Sequence, residues 1–231
     1  MSMERVEEHS IHRLRWLRSA VLGTNDGLVS TAGLLLGVAA TGASQQPIFI
    51  AAVAGLVAGT TSLAASEYVS ARSQADTESA DLELERRELA ANPEEEHAEL
   101  ATIYVERGLD AELASQVAAQ LMEHDALGAH ARDELGLSET LIARPIQNGV
   151  TSAVAFAVGA VLPLLVVILV PASAFIPALL GVTCVSLGLL GYLSALAGGA
   201  SVIIAVTRMI LFGTVAMAVT FGAGTLLGPV V

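Results

Sequence analysis

The chain has 231 residues, 54% hydrophobic and only 15% charged, with a mean hydropathy of +0.66 and a formal net charge of −12. A soluble domain carries about 25% charged residues, so this composition excludes an ordinary water-soluble protein. The cations are 11 arginines without a lysine, the single Cys184 excludes a disulfide framework, and the acidic balance disfavours nucleic acid, whose phosphates it would repel.

The acid is unevenly placed: 19 of the 23 Asp and Glu lie between Glu67 and Glu139, and from Pro145 onward there is no acid and one arginine, Arg208. Two solvents follow. Residues 1–66 and 145–231 read as bilayer-embedded, the first part carrying a short cytoplasmic segment, and residues 67–144 read as an acidic helical insert in water. The expected fold class is an all-α membrane protein with five spans and a helical insert between spans two and three.

A spanning helix needs about 20 apolar residues. Five stretches meet that length, near Ala20–Ala40, Ile48–Ser66, Val150–Val170, Phe175–Leu196 and Thr207–Leu227. Arg13, Arg15 and Arg18 precede the first span, and Arg72, Arg86, Arg87, Arg107, Arg132 and Arg144 lie in the insert, whereas the loops 41–47 and 171–177 have none. With Arg208 beside the connection between spans four and five, every arginine fits on one side. The positive-inside rule then places the N-terminus and insert in the cytoplasm and the C-terminus outside. The N-terminal basic segment does not read as a cleavable signal, because its apolar run is too long and a second span follows at once.

The first span carries Asp26, six residues into its apolar run. A carboxylate at membrane depth is costly and faces a pathway or a partner rather than lipid; the competing reading is a helix break at Asn25-Asp26-Gly27 near the interface. Glu67, at the cytoplasmic end of span two, either receives ions from the insert or marks the water boundary. Gly23 and Gly27, Gly33 and Gly37, and Gly55 and Gly59 recur at four-residue spacing, which suits close helix approach within one subunit or across a dimer face.

The second span continues without Gly or Pro to about Ala91, so one long helix leaves the membrane. Asn92-Pro93 opens the next helix, with Glu95 at the capping-box position and Gly108 closing it. Asp110 caps a third, and a last helix spans roughly 126–135 and ends at Gly136. Glu85 and Glu88 share a face of the long helix, Glu96 and Glu99 a face of the next, and His130 and Glu134 a face of the last. These oxygen and nitrogen donors, with no thiolate among them, suit Mn²⁺, Fe²⁺, Co²⁺ or Zn²⁺. The competing reading is a solvated acidic helix surface. Glu94 and His97 form one Glu-x-x-His, but no other histidine has a glutamate three residues before it, which argues against a di-iron oxidase site.

The motif Asn25-Asp26-Gly27-Leu28, the run EYVSARSQADTE leaving span two, the Pro93-containing acidic helices and HARDELGL at 130–137, in this order and with five spans, resemble the vacuolar iron transporter family, specifically a bacterial homologue with the cytoplasmic metal-binding domain. The resemblance implies a homodimeric exporter of Fe²⁺, often also of Mn²⁺, exchanging it for protons. It carries the family's first-span aspartate onto Asp26 and its metal-domain glutamates onto Glu85, Glu88, Glu96, Glu99 and Glu134. Plant members have a methionine in span two where this sequence has Leu63, and paired methionines where it has His130 and Ala131. Without those soft donors the preference between iron and manganese is open, and an imidazole at 130 would make binding more sensitive to mild acid. Under this reading there is no prosthetic group. The metal is cargo, the partners are metal ions, protons, lipid and a second copy, and an Arg-only, Ala- and Gly-rich composition points to a bacterial plasma membrane. A membrane-anchored metal sensor or buffer is the rival reading, with a membrane-bound di-iron oxidase behind it.

Overall fold

The structure is a computed structural model that describes residues 4–137 and 145–228, with side chains from Ser19 onward. Arg13, Arg15, Arg18, Glu139 and Arg144 of the charge argument lie outside the side chains described. Among the described residues the chain is all-α, with helices α1 (Glu4–Ala40), α2 (Gln45–Ala91), α3 (Pro93–Glu106), α4 (Ala111–Asp133), α5 (Pro145–Leu169), α6 (Phe175–Gly198) and α7 (Val202–Leu227), and a 3-10 turn at Ala172–Ala174. Five helices, α1 from Ser19, α2, α5, α6 with the preceding turn, and α7, are long and apolar enough to cross a bilayer. The chain divides into two compact units, Met1–Tyr68 with Pro145–Val231, and Val69–Arg144.

In the first unit α1 is the central helix, packed against α5, α6 and α7. Lipid tails are as apolar as leucine, so close packing rather than the hydrophobic effect holds such helices together. The sequence supplies the required small surfaces. A β-carbon on Gly27 would collide with the Phe156 carbonyl, and one on Gly159 with the Thr24 carbonyl, so α1 and α5 cross backbone to backbone. Gly33 and Gly37 face Thr220 of α7, Gly55 faces Leu34, and Gly59 takes the Phe156 ring. All three glycine pairs are therefore used within the subunit. One buried cluster joins Leu35 and Leu36 of α1, Ile48 of α2, Val167 of α5, Leu179 of α6 and Met217 of α7. The Gln45 side chain donates 2.7 Å to the Val167 carbonyl beside it.

The spans run longer at their N-terminal ends than the hydropathy pattern implied. α7 begins at Val202, which puts Arg208 on its second turn, near the connection 199–201. Only 11% of the apolar window of α2 is buried, against 44% in α1 and α5, and Phe49, Ile50, Val53 and Val57 face outward.

The second unit comprises the end of α2 with α3 and α4. Gly108, at φ +102°, ends α3, and Asp110 caps α4 by accepting from the Leu113 N–H at 3.0 Å. Asp125 interrupts α4 with extended φ and ψ of −162° and 89°, and its carboxylate accepts from the Gly128 N–H, restarting the helix. That break separates the third and last helices read from the sequence. Asn92 occupies the N-cap of α3 but makes no side-chain capping bond; its carbonyl accepts from Glu95 and Glu96 N–H instead. The apolar core here is small: Leu100, Ala118 and Ala129, with Tyr104, Leu121 and Met122 against them.

Candidate metal centre

Glu85 of α2, Glu96 of α3, and His130 and Glu134 at the end of α4 offer donor atoms that all lie within 4.8 Å of one another. Each arrives by a local device. The uninterrupted α2 carries Glu85 six residues short of its end, Pro93 starts α3 so that Glu96 lies on its first turn, and the restart at Asp125 puts His130 and Glu134 one turn apart. Glu85 is 2% exposed, Glu96 8% and His130 0%, while the Glu134 side chain is the open member at 26%. Charged groups are seldom so buried unless paired.

The pairing is short of positive charge. His130 Nδ1 lies 3.0 Å from Glu85 Oε1, 2.9 Å from Glu134 Oε2 and 3.8 Å from Glu96 Oε2. One ring nitrogen carries at most one proton, so it cannot satisfy three carboxylates. Among the described residues Glu85 Oε1 accordingly has no hydrogen-bond donor although it is buried, and His130 Nε2 is likewise unpartnered. Burial pushes the Glu85 carboxyl up to about 7, with the charges of Glu134, Glu96 and Glu88 adding to it and His130 opposing. Glu96 is raised too, by burial first and then by Glu99, Glu88 and Glu134 against His130. A divalent cation at this point would replace the scarce protons and relieve all of these repulsions. Three carboxylate oxygens and one imidazole nitrogen form a hard-to-borderline set suited to first-row divalent metals.

A second polar group fixes the end of α4 against α3. Asp133 accepts from the Tyr104 hydroxyl at 2.9 Å, its Oδ1 accepts from Arg107 Nη1, and its backbone carbonyl accepts from Arg107 Nη2 at 3.1 Å. The Arg107 guanidinium also sits 5.1 Å from the Tyr104 ring centre. Burial alone would raise the Asp133 carboxyl, but these donors outweigh it and hold the group below its ordinary range. Asp133 precedes Glu134, so the clamp sets the direction of a metal-site carboxylate. This residue and its partners were not singled out by the sequence; an Arg directly before the terminating Gly108 and an Asp directly before Glu134 were the available signals.

Glu88 and Glu99 are exposed and stand outside the four-donor group, acting on it through their charges. Glu94 is exposed, and His97 Nε2 lies 3.0 Å from the Ser115 carbonyl, so the lone Glu-x-x-His contributes no donor to the group. In the membrane unit α1 runs unbroken through Asn25-Asp26-Gly27, against the helix-break reading. Asp26 is exposed on a stripe with Leu22, Ser30 and Leu34, and its carboxylate has no partner among the described residues; Ser30 Oγ bonds only its backbone carbonyl. Glu67 is half-buried near the end of the apolar part of α2. Leu63 is also half-buried.

Fold and site together define an all-α membrane protein with, among the described residues, an unpartnered carboxylate in its first span and a buried carboxylate–imidazole cluster in a separate helical unit. The VIT family profile matches residues 17–225. The chain is 45% identical over 212 residues to the vacuolar iron transporter of Acanthamoeba castellanii, covering 91% of this chain and 78% of that protein. It is 34% identical over 219 residues to vacuolar iron transporter homolog 1 of Oryza sativa subsp. japonica, covering 94% and 76%. With vacuolar iron transporter homolog 1 of Arabidopsis thaliana the identity is 32% over 235 residues, covering 99% and 90%. The chain belongs to the VIT family.

Proposed function

We propose that this chain is a secondary transporter, not an enzyme, that exports Fe²⁺, Mn²⁺ or both from the cytoplasm in exchange for protons. The observation that carries the reading is the convergence of Glu85, Glu96, His130 and Glu134, three of them buried, around a point that lacks positive charge. The relatives named vacuolar iron transporter support metal as the cargo. Zn²⁺ and Co²⁺ suit the same donors.

In this mechanism the cytoplasmic unit captures the ion and Asp26 binds it in the membrane. Glu88 and Glu99 attract the cation to the mouth of the site, and Glu67 receives it at the membrane boundary. The exposure of Asp26 within a span supports a homodimer: a bare carboxylate facing lipid is costly, and a second copy would bring two Asp26 and two Ser30 together on a path flanked by Leu22 and Leu34. Proton exchange follows because a carboxylate cannot hold a proton and a metal at one oxygen, so protonation of Asp26 from the outer side releases the ion. The N-terminus and the metal-binding unit lie in the cytoplasm, the C-terminus outside, in a bacterial plasma membrane.

The test is metal uptake into sealed proteoliposomes with and without a pH gradient, for Fe²⁺ and Mn²⁺. Gradient-driven uptake that is lost in Asp26→Ala supports the reading and ranks the ions. Stoichiometric metal binding with no uptake of either ion overturns it in favour of a sensor or buffer, and oxygen consumption with Fe²⁺ would point to an oxidase instead.

A further inference from the structure

Arg208 is the one charged residue in the 87 residues from Pro145 to Val231, and it has no hydrogen bond or ion pair among the described residues. It lies on the second turn of α7 and lines an open cavity of about 750 Å³ between α1, α6 and α7. Among the described residues no acid lines that cavity; Asp26 follows Asn25 in sequence but is not part of the wall. A guanidinium at membrane depth requires an anion or water, and here the described residues provide no carboxylate to it.

The wall is graded along the helices. The polar members Asn25, Ser194 and Arg208 lie toward the ends of their spans nearest the connection 199–201, beside the apolar Val21 and Leu22, whereas Val29, Phe212 and Ala216 lie one to two turns deeper. Polar donors at the mouth and apolar walls behind them are complementary to a phospholipid: a phosphodiester at the level of Arg208 and an acyl chain below it. Basic pockets between spans recognise anionic lipid headgroups by this combination. The same positive charge would repel a divalent cation, so the cavity on the Asn25 side is not a metal path, and α1 presents two chemically opposite faces one residue apart.

We infer that the cavity between α1, α6 and α7 seats one anionic phospholipid, with Arg208 and Asn25 holding the phosphodiester and Val29, Phe212 and Ala216 holding an acyl chain. The leaflet it is drawn from, the cytoplasmic one, rests on the orientation proposed above; the site itself does not. The test is native mass spectrometry of the full-length protein in detergent with phosphatidylglycerol or phosphatidylcholine of identical chains. Wild type should retain phosphatidylglycerol about fivefold better, the usual strength of one arginine at a membrane surface. Arg208→Gln should reduce that retention to the phosphatidylcholine level, Arg208→Lys should keep most of the preference, and Ala216→Trp, which fills the acyl pocket but leaves the charge, should lose the bound lipid. Equal retention of the two lipids by wild type, full preference in Arg208→Gln, or displacement of the lipid by millimolar inorganic phosphate would each overturn the proposal. So would cross-linking of Phe212→Cys to a second copy at the cost of the lipid. Lipid retention is read without transport, so its failure and a failure of metal uptake are separate results.

Discussion

The membrane unit and the 69–144 unit are held together by opposite physics. In the membrane unit contact is steric: glycines let α1 and α5 meet backbone to backbone, and the shared core is leucine, valine, phenylalanine and methionine. In the other unit the apolar core is three small or medium residues, and the end of α2 meets α4 through Glu85 and His130. A bilayer forbids unpaired polar groups and rewards shape, so the first unit is built to be rigid without metal. Water tolerates charge, so the second can leave carboxylates mutually repelling until a cation arrives. Asp26, an acid in a span whose carboxylate has no partner among the described residues, breaks that rule and is for that reason the strongest candidate there for meeting a cation.

The largest expected effect breaks the comparison at Asp26. Asp26→Ala should reduce gradient-driven metal uptake to that of empty liposomes while calorimetry on the full chain still finds metal bound with unchanged affinity. A parallel drop in affinity would mean the two units do not hold separate sites. Next, removing a donor should do the converse: Glu85→Gln or His130→Ala should weaken metal binding by about 100-fold or more, beyond the 10- to 100-fold typical of losing a supporting contact, with the melting of the membrane unit unchanged.

Gly27→Val should destabilise the membrane unit by at least about 1–3 kcal/mol, the cost of overpacking, because the neighbouring atom is a backbone carbonyl that cannot swing away. Detergent-solubilised protein would show this as a lowered Tm, with metal affinity retained. Asp133→Asn should lower metal affinity by about tenfold by loosening the Tyr104–Arg107 clamp behind Glu134; unchanged affinity would leave the clamp a purely structural link.

The smallest effect is on pH. Glu85 ionises near 7 in the folded protein and near 4.5 ordinarily. The folded state therefore holds a proton that the unfolded state has lost, and without metal the 69–144 unit should lose stability as pH rises from about 4.5 through about 7. Metal reverses the sign, since the cation binds the deprotonated form: affinity should fall as pH drops below about 7. Hydrogen exchange in α3 and α4 of the full chain, with and without Mn²⁺, reads both slopes. Protection that is insensitive to pH in both states would mean that Glu85 is not the titrating group.

Much of this was legible in the residues. Long apolar runs have few ways to satisfy their backbone in lipid other than as helices, so the five spans follow from hydropathy. Gly108, Asp110 and Gly136 announce their helix ends because a left-handed turn favours a residue without a Cβ and a cap needs an acceptor side chain. Helical periodicity also marked Glu85, Glu96, His130 and Glu134 as candidates. It could not separate Glu85 from Glu88 or Glu96 from Glu99, since spacing of three gives each pair the same face. The angle at which α2, α3 and the restarted α4 meet buried one of each pair and exposed the other. Likewise, sequence spacing left the three glycine pairs undecided between packing within a subunit and between subunits, and the neighbours of each glycine resolved it. The placement of Arg208 and Asn25 in one cavity wall was out of reach from sequence, because residues 183 positions apart share a wall only when α1 and α7 pack. Local pattern fixes what depends on neighbours along the chain; the set of charges that share one buried point depends on helix packing, which only the tertiary structure decides.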